Sequence, residues 1–244
     1  MNAVGGDEEK RDGPLAGAVE PPVTPTAGYA QDSSAAPSPQ QLATKRVAVF
    51  VDGFNLYHGL HDLSGRKHLW LDLVGLSGRL LKPDQRLVEV SYFTARVRNH
   101  PAGAKRQDLY IRALQATGVR VVEGRFQEKT QQCRGCGVSW RTYEEKETDV
   151  NLCIALIDGA RRHAFDVGLI VSGDSDMVPA VKAVRAMNGG VRLVAAFPPK
   201  RFSRELQDSV HARLHVGADK VRQSQLPSVV KGADGEYRRP GYWT

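Results

Sequence analysis

Val167-Gly168-Leu169-Ile170-Val171 runs without a break into Ser172-Gly173-Asp174-Ser175-Asp176. Five residues without a polar side chain, closed by a Gly-containing acidic turn, describe a buried strand that stops at a carboxylate. A second stretch has the same form: Val47-Ala48-Val49-Phe50-Val51 enters Asp52-Gly53-Phe54-Asn55. The glycine in each turn lets the backbone bend sharply. Around these two anchors the pattern alternates. Residues 87–96, 119–126 and 191–197 read as strands, with 212–216 as a last edge strand. Residues 69–81, 104–117, 150–160, 177–187 and 202–210 read as helices. Strands that alternate with helices, several of them apolar on both faces, predict an α/β fold. Its sheet is mainly parallel and covered on both sides. In such sheets the ligand site lies beyond the carboxyl ends of the strands, where both acidic turns fall.

A third acid, Asp149, follows Thr148 and opens an apolar helix carrying Leu152, Cys153 and Leu156. Its place in the first turn suits the positive end of the helix dipole. Carboxylates that converge on one crevice repel one another. A site built from them requires a cation, and all-oxygen ligation suits Mg²⁺ or Mn²⁺. Taken singly, Asp52 and Asp174 are more readily read as turn or helix-cap residues. The combination of all three motifs is the stronger signal.

The chain has 244 residues, a net charge of +7 and three cysteines. That length fits one domain with tails. Three cysteines point to a reducing compartment. No run of about 18 apolar residues suggests a membrane span. The acidic, Gly-containing start does not resemble a signal peptide, so a cytoplasmic location without a membrane partner is expected. Charge is uneven. Residues 1–44 carry six acidic and two basic groups; residues 219–244 carry three acidic and five basic. The intervening 45–218 is therefore at +9. A basic body suggests a polyanionic partner such as nucleic acid, although it is also compatible with a merely soluble basic protein. Residues 1–44 hold six of the thirteen prolines and almost no large apolar side chain, so a disordered Pro/Ala-rich tail is expected. Residues 219–244 are polar and read as a C-terminal tail whose Tyr and Trp suit docking.

The three motifs resemble those of NYN domains, within the PIN-like nuclease superfamily and close to its LabA-like bacterial branch. The matching residues are Val49-Phe50-Val51-Asp52-Gly53-Phe54-Asn55-Leu56, Glu145-Lys146-Glu147-Thr148-Asp149-Val150-Asn151-Leu152 and Val171-Ser172-Gly173-Asp174-Ser175-Asp176. The likeness runs from about residue 46 to 216. It implies a PIN-like, Rossmann-like α/β/α three-layer sandwich and a divalent-metal-dependent ribonuclease, endonucleolytic by expectation. By position it implies Asp52, Asp149, Asp174 and Asp176 as metal ligands, with Asn55 near the metal or the scissile phosphate. The domain is then expected at 45–218, with a Cys-x-x-Cys insertion at about 127–143.

The basic residues follow strands. Arg96, Arg98, Lys105 and Arg106 come after residues 87–96, and Lys200, Arg201 and Arg204 after 191–197. Both sets should sit on the carboxyl-end face as RNA contacts. Lys146 and Ser172 are further phosphate-contact candidates, against a solvated lysine and a structural hydroxyl. Cys133 and Cys136, in Cys133-Arg134-Gly135-Cys136-Gly137, have the spacing of half a zinc site, completed by a histidine or a second chain. A metal-free hairpin is the alternative, and a homodimer is a candidate assembly. The expected function is hydrolysis of RNA phosphodiesters. The rivals are a catalytically inactive RNA-binding module, and a phosphatase or DNA nuclease using the same acids.

Overall fold

The structure, a computed structural model, describes residues 44–243 apart from Asn99 and Asn188, and leaves out the side chains of residues 142–145. The tail expected over residues 1–44 lies outside the described residues, Thr44 excepted. β1 (Lys45–Asp52) leads into α1 (Gly53–Ser64), α2 (Leu73–Leu80) and β2 (Gln85–Ala95). Then come α3 (Pro101–Ala116), β3 (Arg120–Gln132), β4 (Ser139–Lys146), α4 (Thr148–Arg161) and β5 (Val167–Val171). α5 (Val178–Ala186), β6 (Arg192–Phe197), α6 (Arg204–Ser209) and β7 (Ala212–His215) complete the main sheet. The order across the sheet is β4-β3-β2-β1-β5-β6-β7. All neighbours are parallel except the β3–β4 pair.

The alternation of β1 explains the layers. Val47, Val49 and Val51 enter one core cluster, with Leu56, Leu60, Leu73, Leu76, Tyr110 and Leu114 from α1, α2 and α3. Ala48 and Phe50 enter the other, with Leu152, Leu156, Val181, Val184 and Leu206 from α4, α5 and α6. A strand with apolar side chains at both parities has to be covered on both faces, and here it is. The result is an α/β fold of PIN-like sandwich type.

The chain leaves β1 toward β2, β3 and β4, then crosses through α4 to β5 on the opposite side of β1. The direction of winding therefore switches between β1 and β5, and a crevice opens beyond their carboxyl ends. At the opposite ends of these two strands, Arg46 clamps Asp166. Asp166 accepts hydrogen bonds from the Arg46 amide (2.7 Å) and guanidinium (2.8 Å), and the guanidinium holds the carboxyl below its ordinary range.

Two expectations change. The helix read over residues 69–81 begins only at Leu73, because Asp72 caps it by accepting from the Gly75 amide; Leu69, Trp70 and Leu71 precede it as buried non-helical chain. The segment expected as a C-terminal tail is folded. α7 (Ala218–Gln223) and the hairpin of β8 (Val229–Gly232) and β9 (Gly235–Arg238) pack on the α1–α3 side. Val221, Leu226, Val230, Tyr237 and Trp243 join that core. These apolar residues are scattered through an otherwise polar segment, so no regular pattern marks them as core.

Candidate active site

Asp52 ends β1 and is nearly buried. Its Oδ1 accepts from the Asn55 amide (3.0 Å), capping α1, and its Oδ2 accepts from Ser172 Oγ (2.9 Å). Ser172 Oγ in turn accepts from the Asp174 amide (3.0 Å), and Asn55 Oδ1 accepts from the Gly173 amide (2.9 Å). Two side chains from the first turn are thus bonded to the turn that follows β5. Close packing makes both glycines necessary. A Cβ on Gly53 would meet Phe93 O at 2.6 Å, and one on Gly173 would meet the Arg201 and Phe202 backbone at 2.9 Å.

Asp174 Oδ1 accepts from the Asp176 amide (3.0 Å), which starts a short 3₁₀ turn over Ser175–Met177. Asp149 lies in the first turn of α4, as its motif predicts. One ligand oxygen from each of Asp149, Asp174 and Asp176 lies within 4.8 Å of the others. Asp149 and Asp174 are half-buried and Asp176 exposed. Asp52 lies outside this close group of three; its Oδ1 and Oδ2 accept from the Asn55 amide and Ser172 Oγ.

Three carboxylates this close repel by on the order of a few kcal/mol per pair at surface dielectric. Hard oxygen donors converging on one point fit a divalent cation of the Mg²⁺ or Mn²⁺ kind. Their field is felt by a neighbour: burial first, and then the Asp149 and Asp176 charges, push the Cys153 thiol up. Cys153 is half-buried against Met177.

At Asp174 a groove opens between Asn55, Gly173 and Asp174 on one side and Lys200, Arg201 and Arg204, on the loop before α6 and at its start, on the other. These three basic residues are where sequence placed them, though Arg201 pairs with Asp62 and Arg204 with Asp208. Phe202 is exposed at the groove, while Phe197 is fully buried.

Other RNA-contact candidates lie elsewhere. Arg96 is engaged by Glu123 and Asp108, which hold its guanidinium charged. Ser172 is buried beneath the carboxylates and bonds Asp52, so it cannot meet a strand in the groove. Arg98 and Lys105 are exposed on the approach to α3 and on α3 itself. Arg106 lies 5.1 Å from the Tyr242 ring. Lys146 ends β4 opposite Arg125 and already has an interaction partner. Cys133 and Cys136 sit at the tip of the β3–β4 hairpin as free thiols.

One feature had no signal in the sequence. Between α1 and α3 is a cavity of about 330 Å³, walled by Phe54, Tyr57, Leu60, Tyr92, Tyr110 and Trp243 and bordered by Arg66 and Arg106. Gly53 and Phe54, which line it, directly follow Asp52 in the chain. Its walls come from positions up to 190 residues apart, so no local pattern announces it.

A doubly wound sheet with carboxylates gathered beyond its switch point defines a class of α/β proteins with a nuclease-like fold and a cation-ready acidic site. Within that class, the NYN domain matches residues 46–216, and the chain belongs to the NYN domain family. It is also similar to 6-hydroxy-3-succinoylpyridine 3-monooxygenase HspA of Pseudomonas putida, 28% identical over 77% of this chain and 72% of that protein. A protein of unknown function from Vibrio parahaemolyticus, VPA0982, shares the fold. It has a TM-score of 0.50 and 20% identity over 75% of this chain and 98% of that one. No described helix is long and apolar enough to cross a membrane.

Proposed function

We propose that the protein is a divalent-metal-dependent ribonuclease. The observation that carries this reading is the group formed by Asp149, Asp174 and Asp176, of which Asp174 lines a groove bordered by Lys200, Arg201 and Arg204. The three carboxylates would hold Mg²⁺ or Mn²⁺. When bound, such a cation lowers the pKa of water and offsets charge that develops on the phosphoryl oxygens. The protein's own part is positioning. Asp52, through Ser172, fixes the Asp174 backbone, and Asn55 fixes Gly173. Lys200 and Arg204 hold the phosphates of the strand, and Phe202 offers a face for an unpaired base.

The test is cleavage of a labelled RNA with and without Mn²⁺, beside Asp149→Asn and Asp174→Asn. Each variant should lose at least about a hundred-fold in rate, the scale of removing one preorganised charge-stabilising group. Wild-type cleavage in the double variant would refute the reading. RNA binding with no cleavage under any metal would establish the inactive, RNA-binding alternative. Matched DNA and small phosphate esters separate the nuclease and phosphatase variants of the same chemistry.

A second reading is favoured by the cavity between α1 and α3. Its aromatic walls, with Arg66 and Arg106 at the edge, suit a planar ring bearing an anionic group. The HspA relative is named for a substrate of that kind, a hydroxypyridine with a succinoyl chain. Thermal unfolding in the presence of 6-hydroxy-3-succinoylpyridine tests it. A rise in midpoint that Arg106→Gln removes supports an aromatic-acid site; no rise for the wild type dismisses it.

A further inference from the structure

β3 pairs with β2 only as far as Gly124; from Arg125 onward its partner is β4 alone. The hairpin therefore reaches out from the sheet, and its outer residues are mostly exposed. At its tip, the Cys133 amide donates to Val138 O (2.8 Å) and the Gly137 amide donates to Cys133 O (2.9 Å). Gly137, at φ 73°, supplies the left-handed residue this closure needs. The Cys133 sulfur lies 4.0 Å from where a Cβ on Gly135 would sit, and hydrogen bonding from the Cys136 amide, the Gly135 amide and the Cys136 thiol lowers the Cys133 pKa. The two sulfurs are thus presented together, on one side of a closed turn, at the surface. Beside them Val138 and Trp140 are 60% and 46% exposed. Both are large apolar side chains left in solvent at the end of a projecting hairpin. A two-stranded hairpin is also marginal without cover.

We propose that Cys133 and Cys136 are half of a structural zinc site, and that the other half is the same pair from a second copy of this chain. Two thiolates three residues apart in a tight turn occupy two corners of a tetrahedron, and structural zinc requires all four. Thiolate donors select zinc over the hard cations suited to the acidic group. Among the described residues, no His, Cys, Asp or Glu side chain joins the pair as a third ligand. A twofold axis through the metal supplies the missing two with no further sequence requirement. Each thiol releases its proton to solvent on binding, and nothing is oxidised or reduced. Four thiolates around Zn²⁺ carry a net charge of −2, which the two copies of Arg134, between the cysteines, offset. The same contact covers Val138 and Trp140.

The experiment uses the full chain purified under reducing conditions, with metal content from elemental analysis and mass from light scattering. One zinc per two chains and a dimeric mass are expected. Cys133→Ser and Cys136→Ser should each lose the zinc and halve the mass, with unchanged circular dichroism. Chelation of the wild type should halve the mass, and added zinc should restore it. A zinc-free chain, one zinc per monomer, or a dimer that survives either substitution would overturn the proposal. None of these readouts depends on RNA cleavage, so the acidic site and the cysteine pair are tested separately.

Discussion

Ser172 shows how much of the acidic site is decided by one hydroxyl. It is fully buried, donates to Asp52 Oδ2, 120 positions earlier in sequence, and accepts from the Asp174 amide. The sequence placed all four acids at the right ends of their elements. It could not show that Ser172 meets the Asp52 carboxylate, because that contact forms across the switch point between distant segments. Ser172→Ala leaves a buried carboxylate oxygen and an amide without that partner, at a cost of about 1–3 kcal/mol. It also frees Asp174 to turn, and loss of such a supporting contact weakens a metal about 10- to 100-fold. Denaturant unfolding and Mn²⁺ titration should show both losses, while RNA affinity measured without metal stays at the wild-type value. A variant that binds Mn²⁺ as tightly as wild type would contradict the orienting role. One that loses RNA affinity without metal would restore Ser172 as a phosphate contact.

Among the elements, legibility followed burial. Val47–Val51 and Val167–Val171 were readable because both faces are covered, and an unbroken apolar run has few other meanings. α1 was read only as a turn. Its exposed side carries Tyr57, His58, His61 and Asp62, and its buried side includes Gly53 and Gly59, so helical periodicity is diluted at both faces. The hairpin of β3 and β4 is the opposite case. Its outer half has almost no buried side, so only the Cys-x-x-Cys turn announced it. Arg96 was placed correctly at the end of β2, but its partners Asp108 and Glu123 come from α3 and β3. A charge reserved by two neighbouring elements looks identical in sequence to one free for a ligand.

At the scale of the molecule, the basic body and the acidic minority separate by position: the carboxylates collect at the switch point, and Lys200, Arg201 and Arg204 border it. The extent of the folded body is a separate matter. The family match ends at residue 216, yet the described fold continues to Trp243. Trp243 is 6% exposed and packs its ring 6.2 Å from Trp70 and 5.9 Å from Tyr110, closing one wall of the α1–α3 cavity. Trp70 is held from the same segment, donating its indole N–H to Pro227 O (2.8 Å). Residues after 216 therefore complete the first core layer. Trp243→Ala removes a large side chain from that packing and should cost about 3 kcal/mol, the low end for such a truncation because a terminal segment relaxes more easily than a central strand. Chemical denaturation monitored by circular dichroism measures this directly. A chain cut after residue 217 should lose more, since it uncovers Trp70, Tyr110 and Leu71 together, and should bind a hydrophobic dye in the absence of denaturant. If Trp243→Ala unfolds within about 0.5 kcal/mol of wild type, the range of an ordinary surface change, the segment contributes nothing to the core and the domain ends where the family match does.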